Sequence, residues 1–176
     1  MARRMTVVAY RREWPGEYEA EVLLLRQALG DEIVRTHHIG STAVPGLAAK
    51  PIIDILLEVR SVERLDAPAQ AMEELGYLPR GELGIPWRRH YPKGSDDRTH
   101  HVHAFAEGDP HIEEHIAFRD YLRTHPSTAE GYADGKQCAA RIYALNPEEY
   151  VAFKHDFMEQ LVHHAVHWLR KQGCAE

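Results

Sequence analysis

The chain has 176 residues and a mass of 20.1 kDa, with 44% hydrophobic and 27% charged residues, a globular composition that excludes disordered, collagen-like and coiled-coil chains and fits one domain. Its net charge of −6 and pI near 6.1 leave no global basic field to hold duplex nucleic acid. The longest apolar runs, such as Ile55-Leu56-Leu57, fall far short of the roughly 18 residues of a membrane span. The amino terminus has no apolar signal core, and Cys138 and Cys174 make neither a disulfide framework nor a zinc set, so a cytoplasmic location is expected.

Met5 to Tyr10 is a short apolar run suited to an edge strand. Trp14-Pro15 opens a helix with acids near its positive end, and Tyr18, Val22, Leu25 and Leu29 form one buried face before Gly30 ends it. Glu32 to Ile39 reads as a strand running into Gly40-Ser41. Pro51 to Val59 is β-branched and aliphatic with an internal carboxylate at Asp54, which predicts a central strand covered on both faces. A helix is expected from Asp66, as N-cap, to Leu75, with Gly76 as its stop. Segments around Tyr77, Trp87 to Tyr91 and Thr99 to Phe105 supply three further strands.

From Asp109 the pattern becomes helical. Asp109-Pro110 with Glu113 and Glu114 starts one helix, with Ile112, Ile116, Tyr121 and Leu122 facing inward. Pro126 interrupts it, and a second helix covers Ser127 to Tyr143. The last begins at Asn146-Pro147-Glu148-Glu149 and buries Tyr150, Phe153, Phe157, Leu161 and Trp168. No repeat or linker divides the chain, so a single domain over residues 1–176 is expected. It has an α+β layout: a mixed sheet core over about residues 5–106 and a helical part over about 109–171.

Histidine is the compositional outlier, with 13 residues, seven of them between His90 and His125. A neutral imidazole is a metal ligand and an acid–base group. The chemistry-bearing stretch runs from Gly40 to Asp54. A strand ends, Gly40-Ser41 turns the backbone, a helical turn follows, and a strand bearing an acid returns. Glycine allows close approach of an anion, and the Ser41 hydroxyl and nearby amides suit phosphate oxygens. Asp54 then suits a divalent metal bridging the same phosphates. A charge inside an aliphatic strand is costly without a partner, which favours function over a plain buried polar residue.

His38-Ile39-Gly40-Ser41-Thr42-Ala43-Val44-Pro45-Gly46-Leu47-Ala48-Ala49-Lys50-Pro51-Ile52-Ile53-Asp54-Ile55 resembles the signature of the GrpB-like family. Tyr10 with Trp14, Leu75-Gly76-Tyr77, His101-Val102-His103, Phe118 to Arg123 with His125-Pro126, Tyr132, Lys136, Tyr150 and Lys154 extend the resemblance from about Val7 to Leu169. It implies a nucleotidyltransferase-superfamily core with added helices, and relatives that occur alone or fused to dephospho-CoA kinase. Active members of that superfamily carry two acids separated by one residue on this strand. Here Ile52-Ile53-Asp54-Ile55-Leu56 carries one. Glu58 shares the face of Asp54 but lies roughly 13 Å along the strand.

In Arg98-Thr99-His100-His101-Val102-His103, His101 and His103 share one face and His100 takes the other. Beside Asp54 they would complete an Asp/His site suited to zinc, iron, manganese or nickel better than to magnesium. The expected metal set is Asp54, His101 and His103, with Asp54 and His103 as the catalytic pair. Gly40, Ser41, Thr42, Lys50, Arg119 and Lys136 are the expected phosphate- or ligand-binding residues, and Arg88-Arg89-His90 is placed on a loop closing the site. His163 and His167, four apart, read as an exposed polar face.

The expected ligand is a nucleotide or another phosphorylated small molecule with a divalent metal (Mg, Mn or Zn) and no organic cofactor, membrane or duplex partner. Nucleotidyl or phosphoryl transfer is the first reaction class. A non-catalytic binding module and a His/Asp metal-dependent hydrolase are the alternatives. Nothing in the residues fixes an oligomeric state.

Overall fold

The computed structural model describes residues 7–66, 69–95, 97–142 and 147–173, in two compact units, Met1–Ile112 and Glu113–Glu176. In the first unit, helix α1 (Trp14–Leu29) has Pro15 in its first turn, where no amide donor is required. Trp14, Val22, Leu25 and Leu29 are buried along one side and Tyr18 packs against them, as the spacing predicts. Glu21 is buried among them, accepting bonds from Tyr77 Oη at 3.0 Å and Lys93 Nζ at 2.7 Å. That pairing makes a carboxylate tolerable in an apolar stripe.

Strands β1 (Ile33–Ile39), β2 (Ile53–Val59), β3 (Arg89–Lys93) and β4 (His100–Ala106) form one sheet in the order β1-β2-β4-β3. β1 is antiparallel to β2, β2 is parallel to β4, and β3 is antiparallel to β4. The aliphatic segment is thus an interior strand, as its composition predicts. Alternation sorts its side chains by parity. Ile53, Ile55, Leu57 and Val59 join Val102, Ala104 and Tyr91 in the core under α1. Asp54, Leu56 and Glu58 take the opposite face. The short helix α2 (Ala69–Glu74) lies between β2 and β3.

The structure corrects two sequence expectations here. Residues 7–10 are not a strand: Val8 makes a single antiparallel bridge to Ala49, and the turn into α1 follows before a ladder can grow. Tyr77 likewise makes one bridge, to Lys93, and the Leu78 and Arg80 amides reach the Pro92 and His90 carbonyls of β3 without building a regular strand. The helix expected from Asp66 is described from Ala69, and the Asp66 carboxylate is taken up by Arg89. Met5 and Pro68 lie outside the described residues.

The second unit is helical, as expected: α3 (Pro110–Thr124), α4 (Pro126–Ile142) and α5 (Pro147–Gly173), with α3 opening at the end of the first. Asp109 Oδ1 accepts the His111 amide at 2.9 Å, which satisfies one free donor at the start of α3. Ala117, Phe118 and Leu122 are the buried residues of α3 in this unit, whereas Ile116 and Tyr121 are half-buried. Tyr121 stacks on His125 and meets Trp168 edge-on, and Arg170 forks onto Glu113 at 3.0 and 2.7 Å. His163 and His167 are exposed, Leu161 and Trp168 half-buried. Asn146, Tyr143 and the side chains of Tyr150, Phe153 and Phe157 lie outside the described residues. No helix of the described residues is long and apolar enough to cross a membrane.

Candidate metal centre

The polar face of the sheet gathers side chains distant in sequence. Parallel pairing sets Asp54 beside His101 and Leu56 beside His103, while β3 sets His90 opposite His103. Because paired residues share a face, Asp54, His90, His101 and His103 all project from the same side. His101 Nδ1 lies 3.2 Å and His103 Nε2 3.6 Å from Asp54 Oδ1. The three residues offer ligand atoms all within 4.8 Å of one another. In a tetrahedral zinc site with bonds of about 2.0–2.1 Å, ligand atoms stand about 3.3 Å apart. The two edges to Asp54, at 3.2 and 3.6 Å, are close to that spacing.

Electrostatics agree. Burial works to raise the Asp54 pKa, but hydrogen bonds from His101 and His103 and their charges outweigh it and hold the carboxyl well below the usual carboxylate range. Burial first, then His103, Arg88 and His101, push His90 down to about 3, against the opposing pull of Asp54. His90 is therefore neutral. Its Nδ1 and the Nε2 of His101 are buried without a hydrogen-bond partner, which is rare for nitrogen in a folded interior. The Asp54 carboxylate with the His101 and His103 imidazoles suits a transition metal, and the unpartnered nitrogens of His90 and His101 lie in the same polar cluster.

The other expected ligand-binding residues are distributed unequally. Gly40 ends β1 at a φ of +71°, and the carboxylate of Asp54 rests directly against it. Ser41 opens a single 3₁₀ turn, Ser41–Ala43. Thr42 is 1% exposed, with its Oγ1 bonded at 3.0 Å to His38 Nε2, and the His38 ring stacks on Tyr18 of α1. Its hydroxyl is thus directed to the helix-covered side. Lys50 is half-buried in the segment that leads into β2. Arg119 and Lys136 belong to the second unit, where Arg119 forks onto Asp120 and Lys136 stands over the Tyr132 ring.

Glu58 is 3% exposed and 2.6 Å from His37 Nε2, with Arg35 at 3.5 Å. Among the described residues, no second carboxylate joins the Asp54 cluster. The loop expected at Arg88-Arg89-His90 is corrected: Arg89 and His90 are strand residues, with Arg89 turned to Asp66 and His90 packed on His101 and His103 at ring separations of 5.4 and 4.9 Å. Sequence reading placed His90 beside the site but not among the residues clustered with Asp54. Its alternation in Arg89-His90-Tyr91 was a usable signal, but only antiparallel pairing with β4 shows which side it takes.

Residues 4–164 match the family described as GrpB protein. The crystal structure of conserved protein GrpB from Enterococcus faecalis superposes with a TM-score of 0.87 at 36% identity, covering 93% of this chain and 99% of that one. The UPF0157 protein YqkA of Bacillus subtilis is 41% identical over 98% of this chain. PA4798 of Pseudomonas aeruginosa, also a UPF0157 protein, is 38% identical over 93% of this chain. The chain spans 50% of the length of the first and 68% of the second. Taken with the shared α+β fold, these matches show that the chain belongs to the GrpB family.

Proposed function

We propose that the chain binds a phosphorylated small molecule, a nucleotide being the leading form, at a divalent transition metal held by Asp54, His101 and His103. The observation that carries this is the convergence of one carboxylate oxygen and two imidazole nitrogens within 4.8 Å. Asp54 supplies charge, and the imidazoles supply the softer ligands that zinc or manganese accepts more readily than magnesium does. A bound metal would polarise a phosphate oxygen and favour nucleotidyl or phosphoryl transfer. The Gly40-Ser41 backbone and Lys50 would steady the remaining phosphate oxygens, with Lys50 bringing positive charge.

The decisive experiment is metal analysis of protein purified without chelators, followed by calorimetric titration with zinc, manganese and magnesium, with and without nucleotide. Zinc or manganese should bind tightly and magnesium weakly, and Asp54→Asn should abolish the difference. Equal metal uptake by the wild type and Asp54→Asn would remove the metal reading. A second reading, a non-catalytic binding module, is favoured by the lone acid at the centre. Nucleotide binding with no release of phosphate or pyrophosphate would select it. Metal-dependent release of phosphate to water would instead select the hydrolase.

A further inference from the structure

Arg88 and Arg89 are neighbours in sequence with opposite surroundings. Arg89 has its carboxylate, with Nε and Nη2 each 2.8 Å from the two oxygens of Asp66. Arg88 is 7% exposed, and its polar contacts are to neutral groups: Nε to Glu82 O at 3.1 Å, Nη2 to Leu83 O at 2.8 Å, and Nη1 near His103 Nδ1 at 3.5 Å. No carboxylate of the described residues pairs with it. Carbonyl oxygens orient a guanidinium but do not neutralise it, and a buried cation without a counter-charge is unfavourable.

The segment that positions Arg88 is itself strained. Leu83 and Trp87 hold φ values of 44° and 65°, the left-handed region that bulky side chains avoid. The strain is kept by the Trp87 amide donating to Glu82 Oε1 at 2.8 Å and the Arg88 amide to Ile85 O at 3.3 Å. The same turn presents the Glu82 and Leu83 carbonyls to the guanidinium. A costly backbone, a buried cation with no anion, and two orphaned imidazole nitrogens on the adjoining strands meet at one place.

We infer that Arg88 is the oxyanion receptor of this site, taking a phosphate group of the ligand on the N–H groups its loop leaves unused. Of the five guanidinium donors, Nε–H and one on Nη2 meet loop carbonyls, and one on Nη1 points toward His103. One N–H remains on each Nη, and a planar fork of that kind matches two oxygens of a phosphate. The inference deepens the metal-and-phosphate reading, but anion capture by Arg88 does not itself require the metal.

The test is calorimetric titration of zinc-loaded and metal-stripped protein with inorganic pyrophosphate and with malonate, using wild type, Arg88→Gln, Arg88→Lys and Asp54→Asn. Metal-stripped wild type should bind pyrophosphate more tightly than malonate. Arg88→Gln should weaken pyrophosphate by about 10- to 100-fold, the effect of losing a charged hydrogen-bonding partner, and Arg88→Lys, which keeps the charge without the fork, by about 10-fold. Near-ultraviolet circular dichroism checks each fold, and the lysine variant carries the test if glutamine unfolds the chain. Unchanged pyrophosphate affinity in a folded Arg88 variant, or no binding by wild type, overturns the inference. Preference for malonate overturns the phosphate assignment. Arg88-dependent pyrophosphate binding in a wild type that takes up no zinc would leave this inference standing while the metal reading falls.

Discussion

Gly40 and Asp54 meet across the end of the β1–β2 pair so closely that a Cβ at Gly40 would stand 2.5 Å from Asp54 Oδ2 and 3.1 Å from Asp54 Cβ. The glycine also holds a φ of +71°. The glycine of the Gly-Ser turn is therefore required first by the acid on the neighbouring strand. Gly40→Ala should destabilise the fold by more than about 1 kcal/mol through backbone strain alone. Its clash with Asp54 should also make the double variant with Asp54→Ala less destabilised than the sum, by about 0.5–3 kcal/mol. Urea denaturation of the four proteins measures this, and strict additivity would refute the contact.

The carboxylates of β2 should behave differently under amide substitution. Asp54→Asn should lower zinc affinity by at least the roughly 10- to 100-fold that loss of a supporting partner produces at metal sites, with His103→Ala similar. Glu58→Gln should leave zinc affinity within about twofold, because Glu58 is bound to His37 and stands outside the cluster. It should still cost about 1–3 kcal/mol of stability by weakening a buried charged hydrogen bond. Calorimetry with zinc, beside denaturant melts, separates the two effects.

Alkaline pH should find Tyr77. Burial, with Glu21 beside it, raises its pKa far above the ordinary 10.0, and burial pushes Tyr91 up to about 12. A raised folded-state pKa gives stability that is complete below pH 10 and lost as pH rises above it, at about 1.4 kcal/mol per pH unit for each tyrosine. Urea midpoints should therefore fall between pH 10 and 11, and Tyr77→Phe should remove part of that slope. A wild-type midpoint flat over this range would contradict the burial of both hydroxyls.

Two leucines should report the core. Leu57 is 0% exposed in the central strand, whereas Leu23 of α1 is 63% exposed. Leu57→Ala should cost about 2–5 kcal/mol, and Leu23→Ala no more than about 0.5 kcal/mol. Thermal and urea melts decide, and comparable losses would contradict the assignment of the buried face.

The interior strand, the first helix and the helical second half were legible because each carries its own periodicity. Pro51 to Val59 reads as covered on both faces from composition alone, and Trp14 to Leu29 repeats at helical spacing. Residues 7–10 and Tyr77 misled because a short apolar run does not tell how far pairing with a neighbour continues, and each makes a single bridge. At the site, Asp54 was visible as a charge among aliphatic residues and His101 with His103 by alternation. Their meeting depends on β2 and β4 being neighbours, which no local pattern encodes. Arg88 and His90 were harder still, since their place follows from a crossover of about 30 residues and from backbone strain. Thr42 shows another limit: its motif position suggested a ligand, and the sequence does not tell that a buried histidine four residues earlier bonds its hydroxyl.

Even and odd positions of β2 divide the labour between chemistry and cohesion. A displacement of β2 by one position against its neighbours would push Asp54 and Glu58 under α1 and bring Ile53, Ile55 and Leu57 out beside the imidazoles. Such a chain would lose its core and the Asp54–His101–His103 cluster at once. Pairing errors in this sheet are consequently self-eliminating, and every molecule that attains the native ladder emerges with Asp54, His101 and His103 already assembled, before any ligand arrives.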